Sequence, residues 1–172
     1  LSLTPGGRID RWQATRATTA SPWITGEFAV TDSTRLRGGA GVYQQFPELS
    51  YLHGLRGNRQ LGPERAVHAD LGVTQSFHGG VTAQVTAFAR DEQDVFRAAA
   101  AEPRRVRDGS IELGRGDSPW ENRLAGHARG VEAVVRRDSP TGASGWIAYA
   151  YARHHYRDAI SGEQFWSDYD QR

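Results

Sequence analysis

The sequence predicts an all-β fold, an antiparallel up-and-down meander of about seven strands. Three observations support this prediction. Apolar and polar residues alternate with a period of two along most segments, as they do on strands that have one apolar and one polar face. Short turns and long polar connections follow one another between these segments. The charged residues fall on the face opposite the aliphatic one in strand after strand.

The clearest element is a hairpin that begins at Trp23. Along its second arm Leu36 and Val42 share an apolar face, whereas Arg35 and Arg37 lie on the opposite face. The first arm alternates in the same way. This hairpin predicts a sheet with one apolar side and one polar side.

The remaining segments continue the same pattern along the chain. In order, the sequence predicts an extended segment at 1–12, a polar connection at 15–21, the first hairpin with its turn at 32–33, a long loop at 45–65, a strand at 66–77, a tight Gly-containing turn at 78–80, a strand at 81–96, a second long loop at 97–121, a strand at 122–137, a turn at 139–142, a strand at 145–156 and a third loop beyond 157.

The lengths of the connections indicate a particular kind of meander. Successive connections of an up-and-down sheet lie at opposite ends, so the short turns share one rim and the long loops share the other. Transmembrane β-barrels of outer membranes have this asymmetry, and each of the predicted arms is long enough to cross a bilayer. The pattern therefore favours the wall of a transmembrane barrel in a bacterial outer membrane.

The two faces predict which residues meet lipid and which line an aqueous interior. Turning the polar face into a soluble core would bury unpaired charges at about several kcal/mol each. The apolar face is rich in Gly and Ala and would fill a soluble core poorly. The predicted lipid-facing residues are Leu36, Val42, Val67, Leu71, Val73, Val85, Val131 and Val135. The predicted lumen-facing wall consists of Arg35, Arg37, His68, Asp70, Gln84 and Glu132.

Six phrases carry a family resemblance, namely QQFPELSYLHG, GPERAVHADLGVTQ, VTAFARDEQDVF, ARGVEAVVRR, GWIAYAYAR and the closing DYDQR. In their order and spacing they resemble the barrel domain of TonB-dependent outer-membrane receptors, over essentially the whole chain. The resemblance implies that residues 1–172 are part of a 22-stranded barrel with a plugged lumen. The chain contains no Met, which also predicts a piece of a longer protein. The plug domain and the remaining strands are expected outside this stretch.

The resemblance also implies a function and a set of partners. Such receptors take up scarce solutes, such as siderophores, cobalamin or glycans, in a process coupled to the TonB complex. The implied partners are outer-membrane lipid, the plug domain of the same full-length chain, the TonB complex acting through the N-terminal part, and an unknown small or oligomeric ligand. No cofactor is implied.

Composition excludes several other classes of function. The net charge is +1, from 21 basic and 20 acidic residues, and so provides no field that would attract nucleic acid. No apolar run approaches the length of a transmembrane helix. The chain has no Cys, no HExxH and no GxSxG motif, so no enzyme is predicted. The histidines lack metal-ligand spacing, and His154 and His155 are predicted to lie at the rim.

Candidate ligand-facing residues lie where strands pass into the long loops. Aromatic side chains at these positions stack on a ligand or form an interfacial girdle. The charged residues of the fifth strand, alternating on one face, contact a polar ligand or form a lumenal ladder of ion pairs. The candidates are Tyr43, Gln45, Phe46, Tyr51, Arg90, Glu92, Asp94 and Trp120.

Two other functions fit the same pattern. A passive porin would share the barrel wall but would lack a plug and energy coupling. A soluble β-sheet module that binds carbohydrate would bury the aliphatic positions inside its fold. A barrel enzyme is a more distant alternative, because the sequence offers no nucleophile with a base.

Overall fold

The main sheet is an antiparallel meander, which confirms the predicted all-β architecture. The structure, a computed structural model, describes residues 1–99, 104–105, 111–112 and 118–167. Within these residues one sheet has eight strands in the order β1-β2-β3-β4-β5-β8-β9-β10, and β6 pairs with β7 in a separate two-stranded ribbon. The strands are β1 (Ser2–Trp12), β2 (Ala17–Ala29), β3 (Thr34–Gln45), β4 (Glu64–Phe77), β5 (Val81–Arg97), β6 (Arg104–Arg105), β7 (Ile111–Glu112), β8 (Glu121–Arg137), β9 (Gly145–Asp158) and β10 (Gln164–Trp166).

The register of the strands carries the alternation of the sequence across the sheet. Leu36 is opposite Val73, and Val73 is opposite Val85, so the aliphatic residues form continuous rows on one face. On the other face Gly39 is opposite Asp70, and Asp70 is opposite Phe88. If the pairing register of one strand shifted by one residue, its apolar side chains would move to the polar face of the sheet and its polar side chains to the apolar face. The continuous pairing therefore keeps the polar and apolar sides apart.

The sheet is curved, and its polar face is concave. One groove of about 610 Å³ is lined by side chains from β1, β2, β3, β4, β5 and β8, which a flat sheet could not enclose. Its lining includes Thr25, Glu27, Arg37, Asp70 and Glu132. The aliphatic rows therefore lie on the convex face.

The aliphatic rows are not the core of the described residues. Leu36 is 39 % exposed, Val73 is 37 % exposed and Val135 is 48 % exposed. Buried apolar side chains lie instead in or beside the long connections, at Leu52, Leu61, Ala98, Leu124 and Ala128. The exposed rows are the opposite of what a soluble carbohydrate-binding module predicts.

The short turns lie at one end of the sheet, as predicted. They join β2 to β3, β4 to β5 and β8 to β9. The turn between β4 and β5 is a 3-10 turn at His78–Gly80, in which Gly79 and Gly80 both have a φ of 74°. Only glycine adopts this conformation without steric cost.

Two predicted connections are wrong. The polar connection at 15–21 is limited to residues 13–16, because β2 already begins at Ala17 and pairs with β1. The third long loop beyond 157 is a tight turn, since the Asp158 carboxylate accepts hydrogen bonds of 2.9 Å from the N–H groups of Ile160 and Ser161. The chain then returns as β10. The long-connection end therefore carries short turns as well.

The long connections also contain structure that alternation did not predict. A five-residue helix, α1 (Leu49–His53), lies in the connection between β3 and β4. The connection between β5 and β8 contains β6 and β7. Among the described residues, no helix is long and apolar enough to cross a membrane.

A buried ionic cluster joins β5, β8 and the turn after β9. Asp158 is fully buried and Arg97 is 2 % exposed, and their side chains form an ion pair. Arg123 donates two hydrogen bonds to Asp158, through Nε at 2.8 Å and Nη2 at 3.0 Å. Glu163 accepts a further hydrogen bond of 2.7 Å from Arg97. Two guanidinium groups thus share one buried carboxylate.

Asp158 ends β9 well beyond the apolar rows. Burial would raise the pKa of this carboxyl, but hydrogen bonds from Arg123, from the N–H groups of Ser161 and Ile160 and from Arg97 outweigh it and hold the pKa far below the ordinary value of 3.8. The resulting stabilisation is complete above the ordinary pKa and is lost only as the pH falls through the depressed value.

We expect G80A to destabilise the fold by about 2–5 kcal/mol. An L-residue at positive φ costs about 1–2 kcal/mol, and a Cβ at Gly80 would also collide with the carbonyl oxygen of Asp138. The matched control is G79A, which has the same φ but open space around its Cβ. Urea titrations of the protein in detergent micelles measure both. Equal losses for the two variants would contradict the proposed collision.

We expect D158N to cost about 3–5 kcal/mol of unfolding free energy, because the buried guanidinium of Arg97 and the partly buried one of Arg123 would face a neutral amide. E121Q is the control, since Glu121 pairs with Arg123 but its side chain is 35 % exposed. Its cost should stay below about 1 kcal/mol. Because the pKa of Asp158 is depressed, the D158N penalty should be equal at pH 7 and pH 5. A penalty that disappears at pH 5 would contradict this account.

Candidate functional site

The concave face carries a small pocket at the end of the long connections. This rim pocket, of about 190 Å³, is lined by residues of β3, β4 and β5. It contains four of the eight predicted ligand-facing residues, namely Tyr43, Gln45, Arg90 and Glu92, and its other lining residues are Gln44, Glu64, Arg65, Ala66 and Val95. An aromatic ring, a guanidinium and two carboxyl groups thus meet in one place.

Glu92 is the centre of the polar contacts in this pocket. Its side chain is 7 % exposed and forms an ion pair with Arg90. On the other side, His154 Nε2 lies 2.8 Å from Glu92 Oε2, and the His154 ring packs on Tyr156 at a centroid distance of 4.2 Å. A charged group, a carboxylate and an imidazole therefore form one continuous network from β5 to β9.

Gly126 makes this network possible. It lies on β8 between Glu92 and Tyr156, which are its neighbours on the two flanking strands. A Cβ at this position would collide with the Glu92 carboxylate and crowd both Tyr156 and His154. Glu92, Gly126 and Tyr156 lie in register on the same face of three neighbouring strands. The small residue between two large ones is a sequence signal for this contact, but the alternation of polar and apolar residues does not reveal it.

A β-bulge separates Asp94 from the other acidic candidates. The pairing of β5 with β8 shifts register between Glu92 and Val95, and Asp94 has a φ of 60°. Val95 consequently takes the position beside Glu92 in the lining of the rim pocket. The predicted alternation of Arg90, Glu92 and Asp94 on one face is therefore wrong for Asp94.

The carboxyl group of Glu64 faces the same pocket. It lies before the apolar rows of β4 begin, and it accepts a hydrogen bond of 2.8 Å from the N–H of Phe96. Burial raises the pKa of Glu64, and this effect exceeds the opposing effect of that hydrogen bond. The rim pocket thus has one carboxyl group that is paired with a cation and one that is not.

Tyr51 and Trp120, two further candidates, lie together outside the rim pocket. Their rings stack at a centroid distance of 4.1 Å, and Phe96 meets the Tyr51 ring edge-on at 5.7 Å. The last of the eight candidates, Phe46, packs against Trp12 at 5.3 Å. In the described structure these aromatic rings pack on one another at the rim.

Backbone and amide hydrogen bonds hold the two long connections together. Trp120 donates its backbone N–H to the backbone carbonyl of Arg56, and Asn58 Nδ2 donates to the backbone carbonyl of Trp120. Gly62 and Asn122 exchange hydrogen bonds of 2.8 and 3.1 Å. These contacts of Asn58 and Asn122 join distant loops, and no pattern in the sequence predicts them.

All six predicted wall residues lie on the concave face. Arg37, Asp70, Gln84 and Glu132 line the large groove. The other two, Arg35 and His68, have different neighbours on the same side. Arg35 forms an ion pair with Glu27 at 3.8 Å, and Arg37 pairs with the same carboxylate at 3.0 Å. The ring of His68 lies between the rings of Tyr43 and Phe88.

The predicted lipid-facing residues share the convex face. Leu36 pairs with Val73, Val42 with Val67, and Val73 also with Val85. On β8, Val135 pairs with Ala83 and Val131 with Ala87, the two β5 residues on either side of Val85 on the same face. Leu71 belongs to the same rows and is 64 % exposed. Within the described residues, no group of three or more His, Asp or Glu side chains is arranged to hold a metal ion.

Solved structures share this architecture at low sequence identity. The copper transporter OprC superposes with a TM-score of 0.61 at 17 % identity, over 87 % of this chain and 22 % of that one. A variant of the ferric enterobactin receptor PfeA from Pseudomonas aeruginosa, in complex with enterobactin, has a TM-score of 0.52 at 17 % identity, over 99 % of this chain and 38 % of that one. The chain thus spans well under half of either structure. No curated protein sequence matches it.

The family assignment rests on the sequence itself. A model of the family described as TonB dependent receptor-like, beta-barrel, matches residues 1–171. The resemblance in the phrases quoted above is confirmed, although the closing DYDQR lies outside the described residues. Members of this family are receptors and transporters of the bacterial outer membrane. The chain therefore belongs to the β-barrel family of TonB-dependent outer-membrane receptors.

Proposed function

We propose that residues 1–172 form part of the barrel domain of a receptor that takes up a scarce solute through the outer membrane by TonB-coupled transport. The convex face meets lipid, the concave face lines the lumen against a plug domain of the same full-length chain, and the rim pocket contributes to solute binding. The proposed solute is a siderophore, cobalamin, a glycan or a similar scarce compound. The protein acts as a transporter and not as an enzyme.

The separation of the two faces is the observation that carries this proposal. Apolar rows on β3, β4, β5 and β8 are exposed on the convex side, whereas ionic and hydroxyl groups surround a groove on the concave side. In water the convex rows would remain hydrated, and the free-energy cost of this exposure is about 25 cal/mol for each Å² of apolar surface. Hydrocarbon removes this cost without requiring the close packing of a protein core.

The chemistry of the rim pocket suits a polar solute. Arg90 offers guanidinium donors, Gln45 offers an amide, and Tyr43, 48 % exposed, offers a ring face for stacking. The ion pair with Glu92 holds Arg90 in place before a solute arrives. Such preorganised groups lose little side-chain entropy on binding.

We expect the two faces to react differently with maleimides. In the full-length receptor, in outer-membrane vesicles and with all other cysteines replaced, L71C should react with a lipophilic maleimide and D70C with a membrane-impermeant one. These neighbours on β4 have opposite orientations, so each is the control for the other. Reaction of both cysteines with the impermeant reagent alone would contradict the membrane placement.

We expect uptake by the full-length receptor to require TonB. Suitable probes are ⁵⁵Fe-labelled catecholate and hydroxamate chelates, cyanocobalamin and labelled oligosaccharides, each tested in cells with and without TonB. Uptake that persists without TonB would indicate a passive porin instead. A folded barrel that takes up none of these solutes would contradict the proposed solute classes.

For the solute that is taken up, R90Q and Y43A should each weaken binding about tenfold, because each removes one charged or aromatic contact. R35Q is the matched control, since Arg35 lies on the same face near the short-turn end. Equilibrium binding to the purified receptor measures the effect. The shift of the folded barrel on unheated gels shows which variants are intact. Unchanged affinity in intact R90Q and Y43A would remove the rim pocket from the binding site.

A further inference from the structure

Basic side chains form a cluster on the convex face, just beyond the apolar rows at the long-connection end. The convex basic cluster consists of His127 and Arg129 on β8 and of Arg153, His155 and Arg157 on β9. Arg129 is opposite Ala89, and the next convex residues along these strands are Val131 and Tyr151, which are paired with each other. The cluster therefore begins about 7 Å from the apolar rows along the strands.

The pairing within this cluster is unfavourable for the sheet alone. Arg129 lies directly opposite Arg153, and His127 lies directly opposite His155. Like charges in directly opposed positions destabilise a sheet, and opposite charges stabilise it. The Arg129–Arg153 pair therefore concentrates positive charge at this boundary and indicates that an anion from outside the chain completes the arrangement.

Only part of this charge is compensated within the described residues. Asp91 on β5 accepts a hydrogen bond of 2.9 Å from Arg129, and His127 Nδ1 lies 2.7 Å from the same carboxylate oxygen. Arg153 and Arg157 are exposed and form no ion pair with any carboxylate that the structure describes. Of the three guanidinium groups in the cluster, only that of Arg129 is paired with a carboxylate that the structure describes.

Aromatic rings hold Arg153 at the edge of the apolar rows. Its guanidinium carbon lies 5.7 Å from the centroid of Trp166 and 5.9 Å from that of Tyr151. The Trp166 ring also meets His155 edge-on at 5.0 Å. Guanidinium–aromatic contacts of this kind fix a cation and leave its N–H donors available.

We propose that the convex basic cluster binds the phosphate groups of a phosphorylated membrane lipid whose acyl chains lie along the neighbouring apolar rows. Arginine pairs bind phosphate through charge-assisted, often bidentate hydrogen bonds. A lipid fits better than a soluble anion because the cations and the apolar rows are contiguous on one face. The inference rests on the proposed contact of the convex face with lipid and adds a specific lipid site to it.

The test uses the full-length receptor in non-ionic detergent, with the bisphosphorylated glycolipid lipid A as the probe. Retention of radiolabelled lipid A during gel filtration gives the affinity. The native receptor should bind lipid A at least about tenfold more tightly than the R129Q/R153Q variant, because two charge-assisted contacts are lost. R35Q/R37Q removes the same charge from the concave face and should bind lipid A as the native receptor does.

Two further arms identify the source of the phosphate. Lipid A stripped of its phosphates should not be retained, and a large excess of inorganic phosphate should not displace intact lipid A. Equal retention of the dephosphorylated lipid, or of lipid A by R129Q/R153Q, would overturn the proposal. Displacement by inorganic phosphate would assign the cluster to a soluble anion and would overturn the lipid site. If L71C still reacts with lipophilic maleimide in that case, the membrane placement of the convex face stands while the lipid site fails.

Discussion

Backbone pairing between neighbouring strands is the constraint on which the rest of this structure depends. Each main-sheet strand up to β9 keeps one register with its neighbour over most of its length. Every second residue of a strand therefore lies on the same face as its partners on the neighbouring strands. Antiparallel pairing thereby turns the alternation of polar and apolar residues into one polar and one apolar surface. The groove, the apolar rows and the basic cluster all follow from that registration.

The long-connection end departs from this regularity, and polar contacts stabilise it. The bulge before Val95 changes which side chain faces the rim pocket, and Gly126 leaves room for a carboxylate beside an aromatic ring. The cluster around Asp158 joins strands β5, β8 and β9 through charge. One end of the sheet is thus regular and apolar outside, while the other is irregular, ionic and the place where solute contacts are proposed.

The period of the sequence and its turn residues were sufficient to predict β3, β4, β5, β8 and β9, the turns at Asp32 and Gly79, and the faces on which Leu36 and Arg37 lie. These features depend on the period of the sequence and on local turn chemistry, which a single chain displays directly. The position of Asp94 was not predictable, because a bulge depends on the partner strand. The same holds for β10, whose turn depends on hydrogen bonds to the Asp158 carboxylate, and for the asparagine contacts between distant loops.

The hydrogen bonds between the two long connections have a mechanical consequence. Because Tyr51 stacks on Trp120 while Asn58 donates a hydrogen bond to the Trp120 carbonyl, we expect a displacement of the segment around α1 to move the residues that precede β8. A reporter group placed beside α1 would therefore sense events at the start of β8. These contacts hold together described residues that lie more than sixty positions apart in the chain.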